Sequence, residues 1–151
     1  MMPPSTAVFS VGPALNCPHT HTIILLHGRN NIASEFATEF LETEATGIDE
    51  DCALRALFPT IRWVFPQATT LRSSRLGIHI SQWFDMWSHY DVEERSELQT
   101  EGLRESIDRI LETIRQEEQA VPRERIFLGG FSQGFATYIP CPLFPSKMPH
   151  S

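Results

Sequence analysis

The residues best suited to chemistry are Gly130-Phe131-Ser132-Gln133-Gly134, a G-x-S-x-G run directly after the apolar segment Arg125–Leu128. A strand that turns sharply into a helix exposes a serine hydroxyl at the bend. Flanking glycines let the two backbones approach while the serine takes a strained conformation. The same turn aims the next backbone N–H, that of Gln133, at the oxygen that turns negative when a carbonyl is attacked. Gly130 and Gly134 are thus expected to shape the turn and Ser132 to be a nucleophile. The bland alternative is a glycine-rich turn with an incidental serine.

A second segment favours the nucleophile. His27-Gly28-Arg29 closes the apolar run Thr22–Leu26, so it too falls at the carboxyl end of a predicted strand, where open α/β sheets place their sites. From there the backbone N–H of Arg29 would face Ser132 as a second oxyanion donor. Gly28 belongs to the same turn, and His27 is expected to be a core histidine bonded to loop backbone. Other candidates are weaker. His19 and His21 alternate along an extended segment, but a metal pair needs a third ligand, so no metal is expected. Asp85 and His89 stand four apart as an acid–base pair, although Asp85 reads better as an acceptor within its own loop. Trp63, Trp83 and Trp87 read as core and pocket wall rather than a cofactor box, and no cofactor is implied.

The elements that must position these residues alternate. Residues 1–19 form an N-terminal segment in which Ala7 to Val11 can pair as an edge strand at best. Thr22–Leu26 is a strand buried on both faces, as in a parallel sheet. Ser34–Thr43 is a short helix with Ser34 as its cap and Phe36, Phe40 and Leu41 on one side. Asp51–Phe58 is a second short helix stopped by Pro59, and Ile61–Phe65 a strand ended by Pro66. Residues 66–90 show no period and read as a long loop. The clearest helix is Glu101–Gln119, with Leu103, Ile107, Ile110, Leu111 and Ile114 on one stripe, and Thr100 or Ser96 as its cap. Arg125–Leu128 is the last strand. This order predicts an α/β fold: a mostly parallel sheet with helices on both faces.

Composition narrows the function class. The formal charge is −7, which disfavours an electrostatic grip on nucleic acid or anionic lipid. Residues 91–125 carry 11 of the 19 acids and 6 of the 12 basic residues, the pattern of a solvated helical face. Three widely spaced cysteines without a C-x-x-C pair suggest a reducing compartment. The first charged residue is Arg29, so the N-terminus lacks the basic region of a targeting peptide. No apolar run reaches the roughly 18 residues of a membrane span. A cytoplasmic protein without stable membrane insertion is expected.

With these residues in place, the chain resembles the phospholipase/carboxylesterase family of α/β-hydrolases, which includes the acyl-protein thioesterases, and most of all its fungal carboxylesterase-type branch. The resemblance rests on LLHGRNN at 25–31, VFPQA at 64–68, QWFD at 82–85, LQTEGLRESI at 98–107 and RIFLGGFSQG at 125–134. It implies a serine hydrolase acting on a small-molecule ester or an acylated protein. It also implies Ser132 as nucleophile, the backbones of Arg29 and Gln133 as oxyanion donors, and Trp83, Phe84 and Asp85 as a loop beside the acyl site. Trp83 and Phe84 would line the substrate pocket. HGRNN stands where typical acyl-protein thioesterases carry a glycine-rich, acidic loop, a departure that leaves ester and protein-thioester substrates both open.

The rest of a serine triad has no matching positions. After Ser132 the sequence holds no Asp or Glu and one histidine, His150, in a proline-rich tail with nothing to orient its ring. Residues 20–136 read as the N-terminal part of a hydrolase domain and 137–151 as an irregular tail, giving a fold incomplete at its C-terminus. The short segment Phe135–Ile139 offers little more than one helical turn, and the strand before it would be an exposed sheet edge. The alternative function is a non-catalytic fragment that binds acyl chains or a full-length relative.

Overall fold

The computed structural model describes residues 7–43 and 53–139. Along the chain, β1 (Val8–Val11) leads to β2 (His21–Leu26), helix α1 (Ala33–Glu42), the single turn α2 (Leu54–Leu57) and β3 (Ile61–Pro66). A hairpin of β4 (Thr70–Arg72) and β5 (His79–Ser81) follows, then α3 (Thr100–Glu117), β6 (Ile126–Gly130) and the short α4 (Gln133–Tyr138). Four strands make the main sheet in the order β1-β3-β2-β6, with β1 antiparallel to β3 and the other pairs parallel.

Side chains alternate across a strand, and two cores result. Ile24, Leu26 and Val64 point to one face and pack with Ile110 and Ile114 of α3. Ile23, Leu25, Trp63 and Phe65 point to the other, where Ala33, Ala37, Phe36 and Phe40 of α1 cover them. Helices therefore lie on both faces of a mostly parallel sheet, as the element order predicts. The outer side of β6 has no strand partner among the described residues, and Phe127 on it is 54% exposed.

Several local expectations change. β2 is completely buried only toward α3, because the ten-residue α1 leaves Ile23 and Leu25 partly covered. Ser34 does not cap α1. The helix starts at Ala33, whose N–H donates to Gln67 Oε1 at 2.7 Å, so a distant side chain replaces the local cap. Neither Thr100 nor Ser96 caps α3, which is entered from a 3₁₀ turn at Ser96–Gln99. The stretch 66–90 is not a bare loop but holds the β4–β5 hairpin. The second helix shrinks to Leu54–Leu57, with Asp51 and Cys52 outside the described residues. Finally, the helix after Ser132 is longer than expected and takes in Thr137 and Tyr138 from the anticipated tail. Tertiary contact replaces the propagation energy a short helix lacks: Thr137 is fully buried and Tyr138 packs against the core on the α3 side of the sheet. Residues 140–151, His150 among them, lie outside the described residues.

Candidate active site

Parallel pairing sets Leu26 opposite Gly130, so β2 and β6 finish side by side. Phe131 N–H donates to Leu26 O at 2.9 Å, and the chain then reverses through Ser132 into α4. Ser132 has φ 54° and ψ −118°, a conformation that non-glycine residues adopt only when their surroundings enforce it. Two close approaches do so. A Cβ on Gly134 would stand 2.3 Å from Leu26 O and 2.7 Å from His27 O, and one on Gly130 would stand 2.5 Å from the backbone of Gly134 and Phe135. The helix start is thus pressed against the end of β2, which only glycine permits.

The His27-Gly28-Arg29 turn meets this elbow from the β2 side. The Cβ position of Gly28 is 3.6 Å from Ser132 Cβ. The backbone N–H groups of Arg29 and Gln133 find no intramolecular acceptor among the described residues. His27 is fully buried, with Nδ1–H donating to Gly28 O at 2.7 Å and Nε2 accepting from Ala68 N–H at 3.0 Å. Desolvation pushes its pKa below the usual histidine value, more than the bond to Gly28 raises it. Both ring nitrogens are occupied in shaping the turn, so His27 is a structural group rather than a base.

The Gln133 side chain joins the elbow to the QWFD loop. Its Oε1 accepts from Trp83 N–H at 2.9 Å, while Nε2 donates to Phe84 O at 2.9 Å and approaches Met86 Sδ at 3.5 Å. Sequence reasoning singled out only the backbone of Gln133; nothing in its neighbours announces this second use. Trp83 is 1% exposed and donates its indole N–H to His27 O at 2.7 Å. It braces the turn from beneath, and the expectation that it lines the pocket is replaced by this one.

Above Ser132 lies an open cleft of about 460 Å³. Phe84, Met86, Val92, Leu103 and Ala136 supply apolar wall, and Arg29, His89 and Gln99 the polar rim. Of these only Phe84 and Arg29 were placed near the site from the sequence. Leu103 was visible as part of the α3 stripe, whereas Met86, His89 and Val92 come from the aperiodic stretch. Asp85 and His89 do not pair. Asp85 accepts from Ser74 N–H and hydroxyl, consistent with a loop acceptor, and His89 Nε2 instead accepts from Arg29 Nη1 at 3.1 Å. His19 and His21 bond to Thr22 and Thr20, and among the described residues no three His, Cys, Asp or Glu side chains gather as for a metal. No helix of the described residues is long and apolar enough to cross a membrane.

Comparison with known proteins shows the family and the fold. The phospholipase/carboxylesterase family profile matches residues 13–139. Acyl-protein thioesterase 1 of Cryptococcus neoformans is 33% identical over 121 residues, covering 78% of this chain and 46% of that protein. Acyl-protein thioesterase 1 of Yarrowia lipolytica is 32% identical over 137 residues, covering 89% and 54%. The crystal structure of Zea mays acyl-protein thioesterase 2 superposes with a TM-score of 0.65 at 23% identity, over 90% of this chain and 50% of that one. The chain therefore spans about half the length of the relatives it matches.

Proposed function

Because the chain belongs to the phospholipase/carboxylesterase family of α/β-hydrolases, we propose that it carries the nucleophile half of a serine hydrolase of carboxylic esters or thioesters. One observation supports this above the rest: Ser132 is held at φ 54°, with the Cβ position of Gly28 3.6 Å from its Cβ, at the floor of a mostly apolar cleft, and the backbone N–H groups of Arg29 and Gln133 have no acceptor among the described residues. In this reading Ser132 Oγ bonds to the carbonyl carbon, and the carbonyl π pair moves onto oxygen, where Arg29 N–H and Gln133 N–H receive the charge. The alcohol or thiol then leaves, and water releases the acid from the acyl-enzyme. Phe84, Met86 and Leu103 accommodate the apolar part of the substrate.

The proton on Ser132 Oγ needs an oriented acceptor. His89 shares the cleft, but its Nε2 lone pair is engaged by Arg29, and beyond Ser132 the sequence holds no Asp or Glu to orient His150. We therefore expect a polypeptide of these 151 residues to turn over slowly. Triad members act as a unit, and losing them costs on the order of 10⁴- to 10⁶-fold in kcat. The second reading, a module that binds acyl chains without turnover, draws on the same absence.

A chimera separates the two. Residues 137–151 are replaced by the corresponding second half of a relative that supplies aspartate and histidine. Under the hydrolase reading the chimera labels with a fluorophosphonate and hydrolyses short nitrophenyl esters, and Ser132→Ala removes both. A well-folded chimera without serine-dependent turnover would leave the binding module. The unmodified chain hydrolysing several esters per second through Ser132 would refute the expected impairment.

A further inference from the structure

The cleft above Ser132 carries one formal charge. Of its lining residues Arg29 alone is an arginine, lysine, aspartate or glutamate. Its guanidinium is fixed by neutral acceptors: Nε–H donates to Gln82 Oε1 at 2.8 Å, Nη1–H to His89 Nε2 at 3.1 Å and Nη2–H to Ser73 Oγ at 3.1 Å. Among the described residues it makes no ion pair. Asp85 attracts it from a distance, but the Asp85 carboxylate is bonded to Ser74. Burial lowers the guanidinium's pKa, Asp85 opposes that, and Arg75 adds a smaller lowering. Three of the five N–H donors are used, so two have no partner among the described residues.

A cation that is anchored, half-buried and unneutralised recognises anions well. Its side chain is already ordered, so a ligand does not bear that entropy cost. Its planar donors match the two oxygens of a carboxylate. We propose that the cleft takes an ester or thioester whose acyl or leaving portion carries a carboxylate, and that the Arg29 side chain binds that carboxylate while the reacting carbonyl meets Ser132. This rests on the hydrolase reading of Ser132 and adds the substrate class. A purely structural Arg29, tying the hairpin to the HGR turn through Ser73 and Gln82, predicts no preference for anions.

The test uses the 151-residue chain and two probes of equal length, decanoate and decanol, titrated by calorimetry. Decanoate binds at least about tenfold tighter, and the margin shrinks as salt is raised from 20 to about 300 mM, as for a charge contact. Arg29→Gln removes the margin by weakening decanoate and not decanol, whereas Arg29→Lys keeps part of it. Should Arg29→Gln fail to fold, Arg29→Lys decides: it keeps the charge but loses the planar donor pair, so the decanoate margin falls part-way while decanol binding is unchanged, and a margin equal to the parent's overturns the side-chain site. Equal affinity for both probes, or a margin unaffected by salt and by Arg29→Gln, overturns the carboxylate site and leaves the Ser132 chemistry to the chimera. Binding of neither probe overturns both the carboxylate site and the acyl cleft.

Discussion

Gln133→Met is the change that most directly probes how the site is held. Methionine nearly matches glutamine in length and volume, so no cavity forms and the change is confined to hydrogen bonding. It deletes the acceptor for Trp83 N–H and the donor to Phe84 O, each 2.9 Å away, in a side chain only 5% exposed. Each buried group left without a partner costs about 1–3 kcal/mol. Relief from burying the polar amide itself returns part of the sum, leaving about 2–4 kcal/mol of lost stability. For a chain of this size each kcal/mol moves the melting temperature by about 2–4 °C. Urea unfolding gives the global figure and amide hydrogen exchange locates it. Trp83 N–H should exchange at least about tenfold faster, while Phe131 N–H, bonded to Leu26 O across β2 and β6, keeps most of its relative protection. A urea midpoint equal to the parent's with Trp83 protection unchanged would refute the clamp. A loosened loop also moves Phe84 and Met86, so decanol binding should weaken in the same variant.

Other perturbations test other parts of the structure. Gly134→Ala drives a methyl into Leu26 O and His27 O, and should cost about 3 kcal/mol or more in thermal unfolding; a loss below 1 kcal/mol would contradict the close approach. His27 is buried and neutral with a lowered pKa, so the unfolded chain takes up its proton first. The stability it supports is full above about pH 6.5 and is lost as pH falls toward the folded-state pKa; melts from pH 7.5 to 5 should show this fall, and His27→Gln should flatten it. Phe127 is exposed on the side of β6 that has no strand partner among the described residues, so the parent chain should self-associate with concentration in sedimentation and Phe127→Lys should reduce it; a parent that stays monomeric, or association unchanged by Phe127→Lys, would contradict this.

The sequence disclosed most where a residue's own chemistry or a strong period determines its place. TIILL, IRWVF and RIFL could only be strands, and the stripe on residues 103–114 could only be a helix. The Ser132 turn was legible because G-x-S-x-G sits at the end of one of those strands. Less was visible where distant groups decide. Gln67 starts α1 from 34 residues away, which no local capping rule could show. The buried face of α3 includes Ser106 and Glu117, polar residues admitted because Ser106 bonds to Trp83 O and Glu117 pairs with Arg62 and Thr22. The cleft wall drawn from residues 86–92 has no period at all, and Trp83 was misplaced because a large aromatic beside a site suits both wall and brace.

What brings the site together is a single sheet pairing. The register that sets Leu26 against Gly130 ends both strands at one level. The turn after β2 then carries Arg29 and the turn after β6 carries Ser132 and Gln133, with the Cβ position of Gly28 3.6 Å from Ser132 Cβ. Gly134 lets α4 begin within touching distance of Leu26 O, and Gln133 then reaches over to fix the loop that supplies Phe84. Each step depends on β2, β6 and residues 82–86, all of which lie within the described chain. The positive-φ serine at this turn is therefore a local consequence of parallel pairing. Shifting the β2–β6 register by one residue would therefore separate the turn at Gly28 from the turn at Ser132.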